Sequence, residues 1–136
     1  MNSTKQLPIF SYGTLMPGQP NYYVWEYYVQ EAEPALFNGG QLHHLGHFPM
    51  LSEGGDGVVH GFLVTITPSV YEECLVDLDV LENYRPDDLA NSLYHRVERQ
   101  ITLSRGRNVA AWVYVGNPTI SARYPIIASG DWRQQM

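Results

Sequence analysis

The order of strand-like and helix-like segments is the feature of this sequence that most restricts its fold. Segments rich in strand-forming residues follow one another along the chain at 7–12, 36–45, 58–66, 94–103 and 109–115. One segment has a good helical pattern; it begins with Thr67 as N-cap and Pro68 as first residue and runs to about Glu82. Because strands and helices do not alternate regularly, the order predicts an α+β fold with a curled, barrel-like sheet and argues against a doubly wound sheet.

Several shorter features complete this prediction. The pair Gly39-Gly40 predicts a bulge or a bend in the second strand. The aromatic-rich segment 22–28 predicts a short helix with Asn21 at its N-cap. Residues 49–57 and 83–92 are predicted loops, and the last twenty residues are predicted to be irregular with at most one turn of helix.

The length and the charge limit the functions that such a chain can have. The 136 residues fit one compact domain over 1–136. The net charge is −6 with only 8 Lys and Arg residues, which argues against nucleic acids and anionic membranes as partners. The densest basic group, Arg96, Arg99, Arg105 and Arg107, straddles a predicted strand and turn and fits a solvated strand edge.

The cysteine count and the hydropathy pattern bear on the compartment. Cys74 is the one cysteine, so an internal disulfide is excluded, which suits a reducing environment. The first ten residues have no apolar run of signal-peptide length, and no segment is long enough to be a membrane span. We therefore expect a soluble cytoplasmic protein.

A carboxylate on the apolar face of the predicted helix is the first candidate for chemistry. On a helical wheel, Glu82 falls in one sector with Tyr71, Cys74, Leu75, Leu78 and Leu81, whereas Glu72, Glu73, Asp77 and Asp79 point away from that sector. Val76 and Val80 lie on the far side, which suggests a helix covered on two faces. Burial would raise the pKa of Glu82 toward the value of a general base at neutral pH. Alternatively, Glu82 turns to solvent or pairs with Arg85 or Arg96.

A glycine turn closes the first strand in the stretch Ser11-Tyr12-Gly13-Thr14-Leu15. Successive backbone N–H groups in such a turn can converge on an anion, for example a substrate carboxylate. The turn has neither the P-loop ending nor the dinucleotide-binding spacing. A plain strand-ending turn is the alternative.

Other reactive side chains do not form a pattern that points to a metal or cofactor. His43 and His44 would face opposite sides of a strand, which is poor geometry for joint ligation. Cys74 lies on the apolar helix face, where a thiol usually only packs.

Several segments, in their order along the chain, resemble the gamma-glutamylcyclotransferase-like family. Residues 10–15 resemble its Tyr-Gly-Ser/Thr-Leu turn, residues 78–84 its Asp-x-Leu-Glu-x-Tyr segment, and residues 94–97 a Tyr-x-Arg strand entry. The later stretches 111–115 and 129–133 also fit. Each motif is unspecific alone, but their order spans nearly the whole chain.

The resemblance implies a small mixed β-barrel with flanking helices and a small-molecule gamma-glutamyl substrate. It implies that Glu82 is the general acid/base of a cyclisation that releases 5-oxoproline and a free amine, without metal or organic cofactor. The residues expected to contact the substrate are Tyr12, Gly13, Thr14, Leu15, Tyr94 and Tyr114.

Three other functions are compatible with the sequence, and the leaving amine stays open. A module of the same fold could bind a glutamyl or amino-acid ligand without turnover. A hydrolase could use Glu82 to activate water against an amide or isopeptide bond. An interaction domain could use the aromatic cluster at 22–28, which would then be exposed.

Overall fold

The computed structural model describes residues 6–134. Within this range the strands are β1 (Ile9–Ser11), β2 (Val29–His44), β3 (Pro49–Ile66), β4 (Tyr94–Leu103), β5 (Asn108–Gly116) and β6 (Ile126–Ile127). The α-helices of the same range are α1 (Tyr71–Leu81) and α2 (Pro118–Ser121). Short 3-10 turns lie at Tyr22–Val24, Glu26–Tyr28, Pro68–Val70, Leu89–Asn91 and Trp132–Gln134. No helix in this part of the chain is long and apolar enough to cross a membrane.

Five of the strands close into a mixed barrel. Neighbouring strands follow the order β3-β1-β5-β4-β2, and pairing of β2 with β3 completes the ring. β1 runs parallel to β5, with Ile9 opposite Trp112, whereas the other pairs are antiparallel. β6 adds to β2 beside the ring. The predicted fold, a small mixed β-barrel with flanking helices, is confirmed.

The sheet separates two apolar cores. The inner core takes side chains from all five barrel strands, among them Phe10, Phe37, Leu51, Ile101 and Val113. The outer core lies between the barrel and α1 and contains, in order along the chain, Ile9, Trp25, Tyr28, Met50, Val64, Ile66, Tyr71, Cys74, Leu75, Leu78, Tyr94 and Tyr114. Because successive side chains of a strand point to opposite faces, β1 contributes to both cores. α1 is thereby held against the outer face of β1 and β5.

The predicted loop at 49–57 is wrong, because β3 already begins at Pro49. Pairing with β2 runs from His44 opposite Pro49 to Gly40 opposite Glu53. Residues 54–57 are left over opposite Gly39, so the bulge predicted at the Gly39-Gly40 pair is confirmed, with the extra residues on the partner strand. Polar and glycine-rich composition is typical of a loop, but here the long partner strand supplies the backbone hydrogen bonds.

The predicted starts of the helices also need correction. Segment 22–28 forms two 3-10 helices of one turn each rather than one continuous short helix, with Trp25 and Tyr28 buried and Tyr27 exposed. The Asn21 side chain does not cap this segment but donates to Thr14 Oγ1 at 3.1 Å. Likewise, a 3-10 turn precedes α1, and Thr67 makes no side-chain capping bond.

Candidate active site

The end of α1 places Glu82 at the edge of the barrel. Glu82 is the C-cap, and Asn83 follows with φ 52°, in the left-handed region that Asn tolerates better than most residues. The Asn83 N–H donates to the Val80 carbonyl at 3.1 Å, and the Tyr84 N–H donates to the Asp79 carbonyl at 2.9 Å. These two bonds form a Schellman motif, which stops the helix and fixes the position of Glu82.

The glycine turn, residues 13–15, emerges from β1 opposite Glu82. Its shape is held by three bonds: Met16 N to Gly13 O at 3.1 Å, Asn21 N to Thr14 O at 2.9 Å, and Trp25 Nε1 to Leu15 O at 2.8 Å. A Cβ on Gly13 would lie 2.9 Å from the ring carbons of Pro49, so glycine is required by close packing at this position.

The backbone amides of the glycine turn are free to bind a ligand. The N–H groups of Gly13, Thr14 and Leu15 donate to no acceptor within residues 6–134. Their carbonyl groups, in contrast, hold the turn in place. A turn with fixed geometry and unused donors is suited to binding an anion or a developing oxyanion.

A pocket of about 190 Å³ lies between the glycine turn and the end of α1. It brings together Glu82 and all the predicted substrate contacts: Tyr12, Gly13, Thr14, Leu15, Tyr94 and Tyr114. The rest of its lining is mostly apolar and includes Trp25, Phe48, Leu78 and Leu93. Its volume is below the roughly 300–1,000 Å³ of sites for drug-sized ligands. The pocket therefore suits a small group with few polar anchor points.

Glu82 lies in this pocket without a hydrogen-bond donor or an ion-pair partner among the described residues. The residue is half-buried by accessible surface, and desolvation of its carboxyl inside the pocket raises the pKa to about 7. Its position at the helix C-terminus acts in the same direction, because that end carries partial negative charge. The alternative pairing with Arg85 or Arg96 is wrong: Arg96 binds Asp79, and Arg85 donates to Asn83 Oδ1 at 3.2 Å.

Three buried tyrosines surround Glu82, but their hydroxyl protons point elsewhere. Tyr12 donates to the Tyr114 carbonyl, Tyr94 donates to the Pro49 carbonyl at 2.7 Å, and Tyr114 donates to Asp79 Oδ1 at 2.6 Å. Burial raises the pKa of all three hydroxyls, and the charge of Glu82 adds to this. The tyrosines therefore stay neutral and can serve a ligand as ring surface or as hydroxyl acceptors.

The helical wheel predicted one face of α1 well and misjudged its margins. Tyr71, Cys74, Leu75 and Leu78 are buried as predicted, but Leu81 is 47% exposed. Val76 and Val80 are exposed, so the suggested second covered face is wrong.

Asp79 was predicted to point away from the apolar sector, yet it is bound to Tyr114 and Arg96 beside the pocket. The sequence reasoning missed its role because both partners come from strands far along the chain. The available signal was its position three residues before Glu82, because residues three apart are neighbours on a helix surface.

The remaining candidates are satisfied structural residues. His43 is buried, with Nδ1 3.0 Å from the Tyr124 carbonyl oxygen and Nε2 2.8 Å from Ser52 Oγ. Cys74 lies on the buried face of α1. Burial, with smaller effects from Asp77 and Glu73, raises the pKa of its thiol to about 12, so the thiol is a poor nucleophile. Across residues 6–134, no three His, Cys, Asp or Glu side chains lie together as a metal site would require.

Comparison with known proteins supports the same family as the sequence motifs. The sequence model of the family described as Gamma-glutamyl cyclotransferase, AIG2-like, matches residues 9–134. No curated protein matches the chain.

Solved structures share the fold. An AIG2-like protein from mouse is 24% identical, with a TM-score of 0.68 over 90% of this chain and 86% of that one. The Escherichia coli protein ytfP is 27% identical, with a TM-score of 0.56 over 93% of this chain and 96% of that one. A yeast gamma-glutamyl cyclotransferase specific to glutathione is 16% identical, with a TM-score of 0.60 over 82% of this chain and 69% of that one.

Proposed function

The chain belongs to the gamma-glutamyl cyclotransferase, AIG2-like family, and from this premise we propose that it is a cyclotransferase that converts gamma-glutamyl amines or amino acids into 5-oxoproline and the free amine. The observation that carries the proposal is the pairing of an unpartnered, desolvated Glu82 with the unused amides of the glycine turn across one small pocket.

Glu82 is proposed as the general acid/base. With a pKa of about 7, its carboxyl is populated in both protonation states at neutral pH, as proton transfer in both directions requires. Glu82 takes a proton from the substrate α-amino group while that nitrogen attacks the γ-carbonyl carbon. It then gives the proton to the leaving amine as the original amide bond breaks. One N–C bond forms, one breaks, and no water is consumed.

A single carboxylate is sufficient because the nucleophile belongs to the substrate. Folding the glutamyl chain toward attack supplies up to roughly 7–11 kcal/mol of the barrier through proximity. Proton shuttling adds on the order of 10²–10⁴-fold. The close apolar walls of the pocket favour such a folded substrate over an extended one.

The glycine-turn amides can hold either the substrate α-carboxylate or the γ-carbonyl oxygen as it gains charge. A substrate whose α-carboxylate is replaced by a carboxamide separates the two roles. If the amides bind the α-carboxylate, the carboxamide substrate should show a much higher KM. If they bind the γ-oxygen, its KM should stay close to that of the parent compound.

The test is mass spectrometry of products from a panel of gamma-glutamyl amines and amino acids, incubated in ¹⁸O-labelled water. Cyclisation yields unlabelled 5-oxoproline, whereas hydrolysis yields glutamate carrying one ¹⁸O. Glu82→Gln should abolish turnover, and Glu72→Gln, an exposed carboxylate on the same helix, should not.

Two outcomes would overturn the proposal. Labelled glutamate as the first product would assign a hydrolase. Ligand binding without any product would assign a non-catalytic module.

A further inference from the structure

Asp79 on α1 and Glu82 at its C-cap are two carboxylates, three residues apart, with opposite surroundings. Asp79 accepts one hydrogen bond from Tyr114 Oη at 2.6 Å and two from Arg96, at 2.9 Å from Nε and 3.2 Å from Nη2. Glu82 accepts none from the residues that the structure describes. Residues at this spacing are neighbours on the helix surface, and the Tyr114 hydroxyl is influenced by the charges of both carboxylates.

We propose that Asp79 is a positioning residue for Glu82, an inference that rests on the proposed function. Asp79 accepts a hydrogen bond from the Tyr114 hydroxyl and thereby keeps this donor away from the Glu82 carboxylate, while the pairing with Arg96 holds the Asp79 carboxylate in place. Asp79 acts through Tyr114 and is not itself assigned a contact with the substrate.

Tyr114 is the donor most able to turn toward Glu82. The two residues line the same pocket, and the Glu82 charge contributes to the raised pKa of the Tyr114 hydroxyl, after burial and Asp79. Arg96 lies opposite Tyr114 across β4 and β5. Its guanidinium is fixed over the rings of Trp112, at 4.6 Å, and Tyr84, at 5.5 Å.

The other titratable groups that face Glu82 have partners that Asp79 does not control. Tyr12, after β1, and Tyr94, on β4, donate to backbone carbonyls. Arg85, beyond the end of α1, donates to the Asn83 side chain. Removal of Asp79 therefore frees Tyr114, whereas Arg96 still lies over the rings of Trp112 and Tyr84 and the rest of the surroundings stays in place.

The consequence concerns the basicity of Glu82. A carboxylate that accepts hydrogen bonds is stabilised in its charged form. Its pKa is therefore lower, and it is a weaker base at neutral pH. By accepting the hydrogen bond of Tyr114, Asp79 keeps Glu82 free of a donor, as proton transfer in both directions requires.

The experiment replaces the ion pair by apolar residues, in Asp79→Leu/Arg96→Met. This change preserves the net charge, and such replacements of buried pairs often keep or raise stability. Tyr114 then loses its acceptor, and Glu82 is the carboxylate that lines the same pocket as Tyr114. A third variant adds Tyr114→Phe, which removes the released donor. The readout is the pKa of Glu82 by NMR of ¹³C-labelled glutamate side chains, assigned with Glu82→Gln.

We expect the Glu82 pKa to fall by about one to two pH units in the double variant and to return close to 7 in the triple variant. The acid limb of kcat/KM should move with it. An unchanged pKa in the double variant would overturn the proposal, as would a fall that Tyr114→Phe does not reverse. If the double variant fails to fold, Asp79→Ala/Arg96→Ala with and without Tyr114→Phe carries the same comparison.

The NMR readout separates this inference from the proposed function. A pKa that falls and recovers as expected, in proteins that turn over no gamma-glutamyl substrate, would support the positioning role and count against the cyclotransferase. Turnover of a gamma-glutamyl substrate, together with a Glu82 pKa that does not change in the double variant, would support the cyclotransferase and count against the positioning role.

Discussion

Replacing Glu82 by Gln should make the stability of the protein less dependent on pH. In the folded protein the carboxyl has a pKa of about 7, against an ordinary value of 4.5. Between these two values the folded state binds more protons than the unfolded state. The free energy of unfolding contributed by Glu82 therefore falls as pH rises through this window.

The size of the effect follows from the two pKa values. Each pKa unit corresponds to about 1.4 kcal/mol, so ionising Glu82 in the folded protein costs about 3 kcal/mol at pH 7 to 8, about 0.8 kcal/mol at pH 5 and almost nothing at pH 4. Gln has no charge to desolvate, and the other titrating groups are common to both proteins. The difference in unfolding free energy between Glu82→Gln and wild type should therefore change by about 3 kcal/mol in favour of the variant from pH 4 to pH 8.

The assay is urea unfolding at several pH values, followed by tryptophan fluorescence. Glu72→Gln is the matched control: this residue is exposed on the same helix, so its difference from wild type should stay within about 0.5 kcal/mol at every pH. A difference for Glu82→Gln that is flat from pH 4 to pH 8 would refute the reasoning, because it would mean that the carboxylate is not desolvated.

Three further substitutions test the parts that build the site. Asn83→Val should lower the free energy of unfolding in urea by about 1–2 kcal/mol and reduce turnover, because a β-branched residue resists φ 52°. Asn83→Gly should retain both stability and turnover, and equal behaviour of the two variants would contradict the Schellman motif. Gly13→Ala should cost about 1–3 kcal/mol in thermal unfolding and lower kcat/KM, since its Cβ would meet Pro49 at 2.9 Å; wild-type values would show that the ring moves freely. Tyr28→Phe loses the hydroxyl bonded to Asp77 on α1 and should lower the urea midpoint of unfolding while turnover stays unchanged. An activity loss like that of Glu82→Gln would mean that this contact also shapes the pocket.

The fold was predictable to the extent that its signals are local. The strand cores and the helix, predicted over 67–82 and observed as α1 at Tyr71–Leu81, follow from side-chain periodicity and from turn residues. These signals lie next to each other in sequence. Residues 49–53 were mistaken for loop because their strand conformation depends on β2, and nothing in their own composition shows that partner. The aromatic segment failed for a related reason: burial of Trp25 and its bond to Leu15 override any helical preference.

The sequence by itself determined that Glu82 shares a helix face with apolar residues and that a glycine turn follows the first strand, because both facts depend on neighbours within about one helical turn or one strand. Only the tertiary structure decided that these features face each other across a pocket. It also decided which acceptors the nearby hydroxyls bind: the Tyr94 hydroxyl donates to the Pro49 carbonyl, and the Tyr114 hydroxyl donates to the Asp79 carboxylate. Those partners are 45 and 35 residues apart, and local spacing cannot reveal which acceptor a hydroxyl will choose. The raised pKa of Glu82 arises from that tertiary choice, because burial without a donor disfavours the charged form.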